Sequence, residues 1–331
     1  MTWFTGAMQP EERPFDTTSN PTQARINELL RSPGTERPSF DAELGEDLRS
    51  QLDQGLEAAA AELDDVLFVG KYPLAMVHGC EARFLAEDGR PFELRLPMVA
   101  GTVAHKAIQL SQYAAVDPLP ADLVDGALER IAGDQDRTAD WLDAASPAER
   151  ADVMALATER VVKFLECFPP LRRNWRPVTE MAMRAELCDG RIVLSGRVDL
   201  AMGKPTGTQA NKAFIDLKTG GRAPYHLDDL RYYALIETLR LGVPPFRVGS
   251  LYLDQGVLAV EDVTVPLLYS AAARVIDGVE KLVGLRQGLL APRKRPGSQC
   301  RYCPLRDTCD EGRAQLLGDE FLADLTDLDE A

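Results

Sequence analysis

The segment GRVDLAMGKPTGTQANKAFIDLKTG, residues 196–220, holds two alternating apolar runs joined by a run of turn residues. Alternation of this kind predicts β-strands, and the linking Gly, Pro, Thr and Asn residues predict a turn. In a strand, residues i and i+2 face the same side, so Asp216 and Lys218 project together while Ile215 and Leu217 enter the core. The segment therefore predicts a hairpin that carries two opposite charges near the end of its second strand.

The regions on either side of this hairpin extend the pattern. VTEMAMRAEL (178–187) alternates in the same way, which predicts an antiparallel meander of three strands. A helix is predicted for HLDDLRYYALIETLRLG (226–242), a further strand for FRVGSLYLD (246–254), and helices for the region before the meander. The order of helix, three strands, helix and strand predicts an α/β fold in which helices flank a mixed β-sheet. Residues 117–168 have a helical pattern that suggests an insertion.

The charge of the chain is uneven along its 331 residues. Residues 1–65 hold 14 acidic and 5 basic residues, and residues 310–331 hold 8 and 1, so only +1 of the net charge of −15 remains for the middle. We expect an acidic extension, partly disordered and partly helical, at 1–65, a main domain at 66–310 and an acidic tail at 311–331. A negative total does not exclude a nucleic-acid partner when local patches decide binding.

The composition also bears on location. No apolar run approaches the roughly 20 residues that span a bilayer, and the first residues, MTWFTGAMQPEERPF, lack the features of a signal peptide. We therefore expect a cytoplasmic protein without a membrane partner. In that compartment the six cysteines are expected to be thiols or metal ligands.

A second carboxylate is expected beside the charged pair. The hairpin brings Asp199 near Asp216, because both lie close to neighbouring strand ends. Two carboxylates and a lysine form an oxygen-rich site for a hard divalent cation. A hairpin salt bridge between Asp216 and Lys218 explains the same residue types, and the residues alone leave both interpretations open.

The ordered motifs resemble the RecB-like branch of the PD-(D/E)XK nuclease superfamily. That pattern runs Gly-x-x-Asp, a strand with Asp-x-Lys-Thr-Gly, and a helix with Gln-x-x-x-Tyr. The matching residues are Gly196, Asp199, Asp216, Lys218, Thr219, Gly220 and Tyr233. Asp229 stands where the family usually has Gln, and GTVAHKAI resembles the family's Gly-x-x-x-His helix. The resemblance covers roughly residues 70–310.

The resemblance implies a restriction-endonuclease-like fold and a phosphodiesterase site. Its metal, Mg²⁺ or Mn²⁺, would be held by His105, Asp199 and Asp216. Its catalytic residues would be Asp199, Asp216, Lys218, Tyr233 and Glu180. Without this resemblance, His105 would be interpreted as an ordinary helix residue, Glu180 as an acidic residue at a strand end and Tyr233 as an aromatic residue of the core.

The cysteines carry a second part of the resemblance. Cys300, Cys303 and Cys309 form a C-x2-C-x5-C cluster that needs a fourth ligand. Some RecB-like nucleases, of the AddB type, bind a 4Fe–4S cluster with one upstream cysteine, and Cys80 is placed like that ligand. The cluster would close the domain as a clasp, and structural Zn²⁺ on the same thiolates is the alternative. Cys167 is expected to be an incidental thiol, as is Cys188.

Six basic residues and no acid lie between Arg286 and Arg306. We expect Arg293, Lys294, Arg295 and Arg301 to contact a phosphate backbone, although a solvated basic loop would have the same composition.

The resemblance implies a metal-dependent DNA nuclease, an exonuclease acting on DNA ends or single strands in repair, recombination or defence. The alternative is a catalytically weak or inactive nuclease-like module that binds DNA or a protein and keeps the cluster as a structural element. The sequence has no G-x-x-x-x-G-K-[ST] motif of a helicase, so unwinding would require a helicase or another repair or defence protein as partner.

Overall fold

A computed structural model of the protein describes residues 20–31, 37–113, 118–134, 136–223 and 225–318. Within these ranges the centre of the fold is a six-stranded sheet in the order β1-β3-β4-β5-β6, with β2 paired to β3. The strands are β1 (Leu67–Val69), β2 (Val178–Leu187), β3 (Ile192–Met202), β4 (Ala213–Lys218), β5 (Arg247–Tyr252) and β6 (Val257–Asp262).

Helices cover both faces of this sheet. They are α1 (Pro21–Leu30), α2 (Leu44–Ala61), α3 (Lys71–Gly79), α4 (Glu81–Glu87), α5 (Leu96–Ser111), α6 (Pro120–Asp134), α7 (Arg137–Ala144), α8 (Pro147–Cys167), α9 (Tyr225–Leu241), α10 (Val265–Arg286) and α11 (residues 310–318). Helices α2, α9 and α10 pack on one face, and α5, α6 and α8 on the other. Across the described ranges, no helix has the length and apolar character that a membrane span requires.

The strand directions confirm the predicted meander and the mixed sheet. β2, β3 and β4 are antiparallel, and β5 is antiparallel to β6. β4 and β5 are parallel, so α9 is the crossover helix that connects them. β1 lies parallel to β3. The alternating pattern did not predict β1 or β6, and α10 was not assigned either.

Several separate helices form the region before the meander, where helices are predicted. The extended backbone of Cys80 (φ −150°, ψ 110°) ends α3 and begins α4. α5 begins at Leu96, so His105 lies in the middle of that helix.

The regions expected to be an extension and an insertion both contribute to the core. In α2 the side chains of Leu48, Leu52 and Leu56 are fully buried, on the face shared with α9 and α10. In α8, Val153 and Val161 are equally buried under the sheet. Burying one such side chain stabilises a fold by roughly 1.5–3 kcal/mol, so both helices belong to the hydrophobic core.

Two strands, β1 and β4, share one edge of β3. β2 pairs along one edge of β3, while β1 pairs with residues 192–194 and β4 with residues 200–202 on the other. In the β3–β4 register Leu200 faces Ile215, so the next opposed pair is Asp199 and Asp216, where the pairing ends. A gap therefore opens in the sheet at the two aspartates.

The β3–β4 loop closes around Gly203. Its N–H donates to the carbonyl of Trp175 at 2.7 Å, and its φ is +90°. A Cβ at this position would lie 2.0 Å from the carbonyl oxygen of Asn211. Only glycine fits without moving the backbone, since both the positive φ and the close approach exclude a side chain.

We therefore predict that Gly203→Ala lowers the free energy of unfolding by about 2 kcal/mol or more. The matched control is Gly207→Ala in the same loop, where φ is also positive (+56°) but nothing lies within 4 Å of an added Cβ. That change should cost only about 1 kcal/mol of backbone strain. Urea unfolding of both variants measures the difference, and equal losses would contradict the steric argument.

Candidate active site

The candidate site lies at the gap between β3 and β4. The two aspartates at the gap are joined by His105 from α5 and by Glu180 from β2. Charged residues from the starts of α3 and α9 approach from the opposite face of the sheet. Six elements, β2, β3, β4, α3, α5 and α9, therefore contribute side chains to this place.

His105, Glu180 and Asp199 form a compact group. Nδ1 of His105 lies 3.3 Å from Oδ1 of Asp199 and 4.0 Å from Oε1 of Glu180, and one ligand atom from each residue lies within 4.8 Å of the others. One imidazole and two carboxylates at this spacing are a donor set that suits a divalent cation, Mn²⁺ in particular because of the nitrogen.

Glu180 reaches this group through an unusual backbone. It lies between Thr179 and Met181, which face Leu200 and Val198, so the register places Glu180 opposite Asp199. Its φ is +52°, a left-handed conformation that is rare for a residue inside a strand. Such a conformation costs about 1–2 kcal/mol and is concentrated at functional sites. The backbone strain thus directs a second carboxylate toward Asp199.

The titration behaviour of the group reflects its excess of negative charge. Burial lowers the pKa of His105, but Asp199, with Glu180 and Asp216 behind it, overcomes this effect and raises the pKa to about 9. Burial opposes the charge of Asp199, yet His105 and the N–H of Leu217, which donates to Oδ2 at 2.6 Å, lower its pKa. Without a metal, the imidazole therefore carries the positive charge that the carboxylates require.

Asp216 lies beside this group but faces different partners. It is 2% exposed, Oδ2 lies 2.6 Å from Nζ of Lys218, and Oδ1 lies 3.5 Å from Nζ of Lys71. The Oδ2 atom accepts no hydrogen bond of normal geometry from the described residues. The three residues whose ligand atoms lie within 4.8 Å of one another thus include Glu180 and not Asp216. The ligand set expected from the sequence contained Asp216, and its binding to a cation remains a prediction.

Lys71 and Asp229 complete an ion cluster that the motifs did not reveal. Lys71 Nζ lies 3.4 Å from Asp229, and Lys218 Nζ lies 3.3 Å from the same carboxylate. Burial raises the pKa of Asp229 while both lysines oppose that effect. Burial opposes the charge of Lys71, but Asp216 raises its pKa well above the ordinary value. The charges of two acidic and two basic side chains therefore balance in this cluster. One of the acids, Asp229, stands at the position where the family usually has glutamine.

Tyr233 is part of the same face. Its ring packs on Gly196, where a Cβ would meet the ring at 2.5 Å, so the glycine of the Gly-x-x-Asp motif makes room for it. Nζ of Lys71 lies 5.2 Å from the ring centroid. Burial, opposed by Lys71, raises the pKa of Tyr233 to about 12, so its hydroxyl stays protonated. These contacts make Tyr233 both a core aromatic and a neighbour of the charged residues.

The predicted cysteine ligands lie around one cavity, although Cys80 is far from the other three in the sequence. Cys80, Cys300, Cys303 and Cys309 all line it. Three of the sulfur atoms accept backbone N–H groups at 3.4 Å, from Arg295 to Cys80, from Leu305 to Cys303 and from Gly312 to Cys309. Amide donors of this kind stabilise thiolates and tune cysteine-bound clusters.

The spacing of these sulfur atoms bears on which metal fits. Four thiolates around one zinc ion, each about 2.3 Å from it, have sulfur atoms about 3.8 Å apart. Among the described side chains, the group that brings three ligand atoms within 4.8 Å is His105 with its two carboxylates, and no three cysteines do so. In a 4Fe–4S cluster each thiolate binds a different iron, so the sulfur atoms lie farther apart. A zinc ion and a cluster thus require different spacings of the same four sulfur atoms.

The basic residues expected to contact nucleic acid surround this cavity, but several have protein partners. Lys294 pairs with Glu311 at 2.8 Å, and Arg295 donates to the carbonyl of His78 at 2.9 Å. Arg293 donates its backbone N–H to Glu81, and Arg301 is exposed. The basic surface is thus smaller than the composition of the segment suggests.

Comparison with known proteins identifies the fold family. A sequence model of the PD-(D/E)XK nuclease superfamily matches residues 73–310, which is more than half of the chain. A search of curated protein sequences finds no significant match.

Two solved structures are similar at low identity. One is a protein described as a "Putative exonuclease" from Eubacterium rectale, with 13% identity and a TM-score of 0.46, where the match covers 85% of this chain and 94% of that one. The other, SSO0001, has 15% identity and a TM-score of 0.32, with 81% and 97% covered.

The ion cluster generates a prediction about stability. Lys71→Met leaves one excess negative charge near Asp216, and Asp229→Gln leaves one excess positive charge, so each change should destabilise the fold. The double variant restores neutrality and should be more stable than the sum of the two losses indicates, by about 1 kcal/mol or more. Urea unfolding of the four proteins measures this coupling. Simple additivity would contradict a shared cluster.

The cysteine cavity generates a second prediction. Protein purified without oxygen should be brown and hold about four irons per chain, as one cubane requires. Cys80→Ser and Cys303→Ser should remove both colour and iron and promote aggregation, because the ligands join distant segments. Cys167→Ser, at the end of α8, is the matched control and should change neither. Stoichiometric zinc without iron in the same preparation would overturn the cluster.

Proposed function

This chain belongs to the PD-(D/E)XK nuclease superfamily, and we propose that it is a metal-dependent deoxyribonuclease that hydrolyses phosphodiester bonds. The observation that carries the proposal is the convergence of His105, Glu180 and Asp199 within 4.8 Å, beside the ion pair of Asp216 and Lys218. A phosphodiesterase needs ligands for a cation and a fixed positive charge at the phosphate, and this arrangement provides both.

His105, Asp199 and a second carboxylate, from Asp216 or Glu180, would hold Mg²⁺ or Mn²⁺. The ion would supply positive charge to the phosphate and lower the pKa of a bound water. The place of Asp216 opposite Asp199 in the strand register supports its part in this set, and its Oδ2, 2.6 Å from Nζ of Lys218, keeps that ammonium beside the site.

The remaining residues orient the substrate. A water attacks phosphorus in line with the leaving oxygen, and negative charge grows on the equatorial oxygens as the old P–O bond breaks. The ammonium of Lys218 donates hydrogen bonds to that charge. Lys71 and Asp229 hold Lys218 and Asp216 in place by balancing their charges. The ring of Tyr233 excludes water from one side of the ion cluster formed by Lys71, Asp216, Lys218 and Asp229.

We further propose a 4Fe–4S cluster on Cys80, Cys300, Cys303 and Cys309, with a structural role. Its ligands join the break between α3 and α4 to the segment before α11, so the cluster would fasten the end of the domain to its beginning. The amide donors to three sulfur atoms support this assignment, and structural Zn²⁺ is the alternative.

The resemblance to RecB-like enzymes supports exonuclease action on DNA ends or single strands, in repair, recombination or defence. Unwinding of a duplex would come from a helicase or other partner protein. A role in the cytoplasm without a membrane partner fits such a substrate.

A second candidate is a nuclease-like module that binds DNA or a protein and cleaves weakly or not at all. The observation that favours it is Asp229, since its carboxylate pairs with Lys218 and competes for the ammonium that the phosphate needs. A cleavage assay on labelled single- and double-stranded DNA with Mn²⁺ separates the two candidates.

In that assay we predict that Asp216→Asn and Lys218→Met each lower the rate of cleavage by about 100-fold or more, because each removes a group that acts on the reacting phosphate. Both changes nearly preserve side-chain volume but leave one charge of the cluster unbalanced, so circular dichroism confirms the fold of each variant before the assay. Lys163→Met, a half-exposed lysine on α8, is the control and should cleave normally. If Lys218→Met cleaves as fast as the wild type, Lys218 has no catalytic role.

A further inference from the structure

A basic cavity lies at the other end of the β3–β4 hairpin from Lys218. It is open to solvent, has a volume of about 770 Å³, and is bounded by the end of α1, the segment before β2 and the β3–β4 loop. Five basic residues line it: Arg31, Arg37, Arg172, Arg176 and Lys204. No acidic residue is among the described side chains that line it. In a chain with a net charge of −15, such a concentration of positive charge is unexpected.

Four of the five basic side chains lack a carboxylate partner in the part of the chain that the structure describes. They are Arg31, Arg37, Arg176 and Lys204. Arg37 stacks on the ring of Phe246 at 3.7 Å, and its Nη1 is buried without a hydrogen-bond partner among the described residues. A buried guanidinium nitrogen without an acceptor costs about 1–3 kcal/mol, so the fold retains donors that an anion would satisfy.

Asn27 provides an independent indication. Its side chain lines the same cavity from α1 and is only 9% exposed. In the described part of the chain no hydrogen bond engages its amide, which is open to the cavity. The Asn27 amide and the Arg37 guanidinium thus both face one cavity, where they provide donors for a ligand with several acceptor oxygens.

Phosphate is the ligand chemistry that these donors fit. Guanidinium groups bind phosphate oxygens through paired N–H donors, and an asparagine amide adds a neutral donor. A cavity of this size is several times larger than one phosphate group requires. A strand that brings successive phosphates satisfies several basic residues at once, which one free nucleotide does not.

We propose that this cavity binds the phosphate backbone of a single nucleic-acid strand, at a site separate from the reaction centre. The inference deepens the proposed function, because the strand would be the substrate of the nuclease. Met202 at the cavity is three residues from Asp199, and Ala213 is three from Asp216. With a rise of about 3.4 Å per residue, the cavity begins roughly 10 Å from the two aspartates along the sheet. A strand held there would be anchored beside the site of cleavage.

The test measures binding without cleavage. A fluorescein-labelled 20-residue oligothymidylate is titrated with the full-length protein in EDTA, by anisotropy, at several salt concentrations. The double variant R31E/K204E should bind at least about tenfold more weakly, and the slope of log K against log salt should fall by about 1–2, as the loss of two phosphate contacts requires. Arg25→Glu, an exposed residue on the same helix outside the cavity, is the matched control and should bind like the wild type.

The fluorescence of a tryptophan in the cavity shows whether the ligand binds there. Trp175 lines the cavity, so oligothymidylate should change the tryptophan fluorescence of the wild type but not of Trp175→Phe. Thymidine 5′-monophosphate and inorganic phosphate, at the same phosphate concentration, should compete weakly. If either competes as well as the oligonucleotide, the site takes free phosphates and the strand assignment is overturned.

Equal affinity and salt slope for R31E/K204E and R25E, with both proteins folded by circular dichroism, would also overturn the inference. The proposed function is judged separately, by cleavage with Mn²⁺. If the protein binds the oligonucleotide in the cavity but does not cleave DNA, only the nuclease proposal is wrong. If it cleaves normally without binding there, only this inference is wrong.

Discussion

The burial of Asp216 is the constraint on which the rest of the site depends. A carboxylate that is 2% exposed costs several kcal/mol of desolvation unless positive charge lies beside it. Lys218 supplies one charge from the same strand, but Lys71 must come from the start of α3 and Asp229 from α9 to complete the balance. Three elements that are remote in sequence are therefore required to converge at one point of the sheet.

The gap in the sheet is the second part of that arrangement. Because β1 and β4 share one edge of β3, the backbone between them has no strand partner there. The hydroxyl of Tyr232 fills this place by bonding to Ser195 and to the carbonyl of Val69. The same separation places the carboxylates of Asp199 and Asp216 beside an open part of the sheet, where they pair with His105 and Lys218.

Sequence patterns over a few residues predicted the features that neighbouring residues form. The meander, the shared face of Asp216 and Lys218, and the grouping of the C-terminal cysteines follow from periodicity and spacing within a few residues. β1 has only three residues, too few for an alternation to be recognised, and Lys71 follows it without any motif. The partnership of Glu180 with Asp199 depends on strand register, and the basic cavity collects side chains from several segments. Such features are fixed by packing and not by sequence pattern.

The dispersal of the site along the chain also has a consequence for how the protein is made. Lys71 and Asp216 are 145 residues apart, and the balancing Asp229 follows later still. Chains emerge from the ribosome from the N-terminus, and contacts of such long range are intrinsically slow to form. A nascent or truncated chain that ends before α9 contains Lys71, Asp216 and Lys218 but not Asp229. The charges around the buried carboxylate of Asp216 are therefore balanced only after α9 has been synthesised.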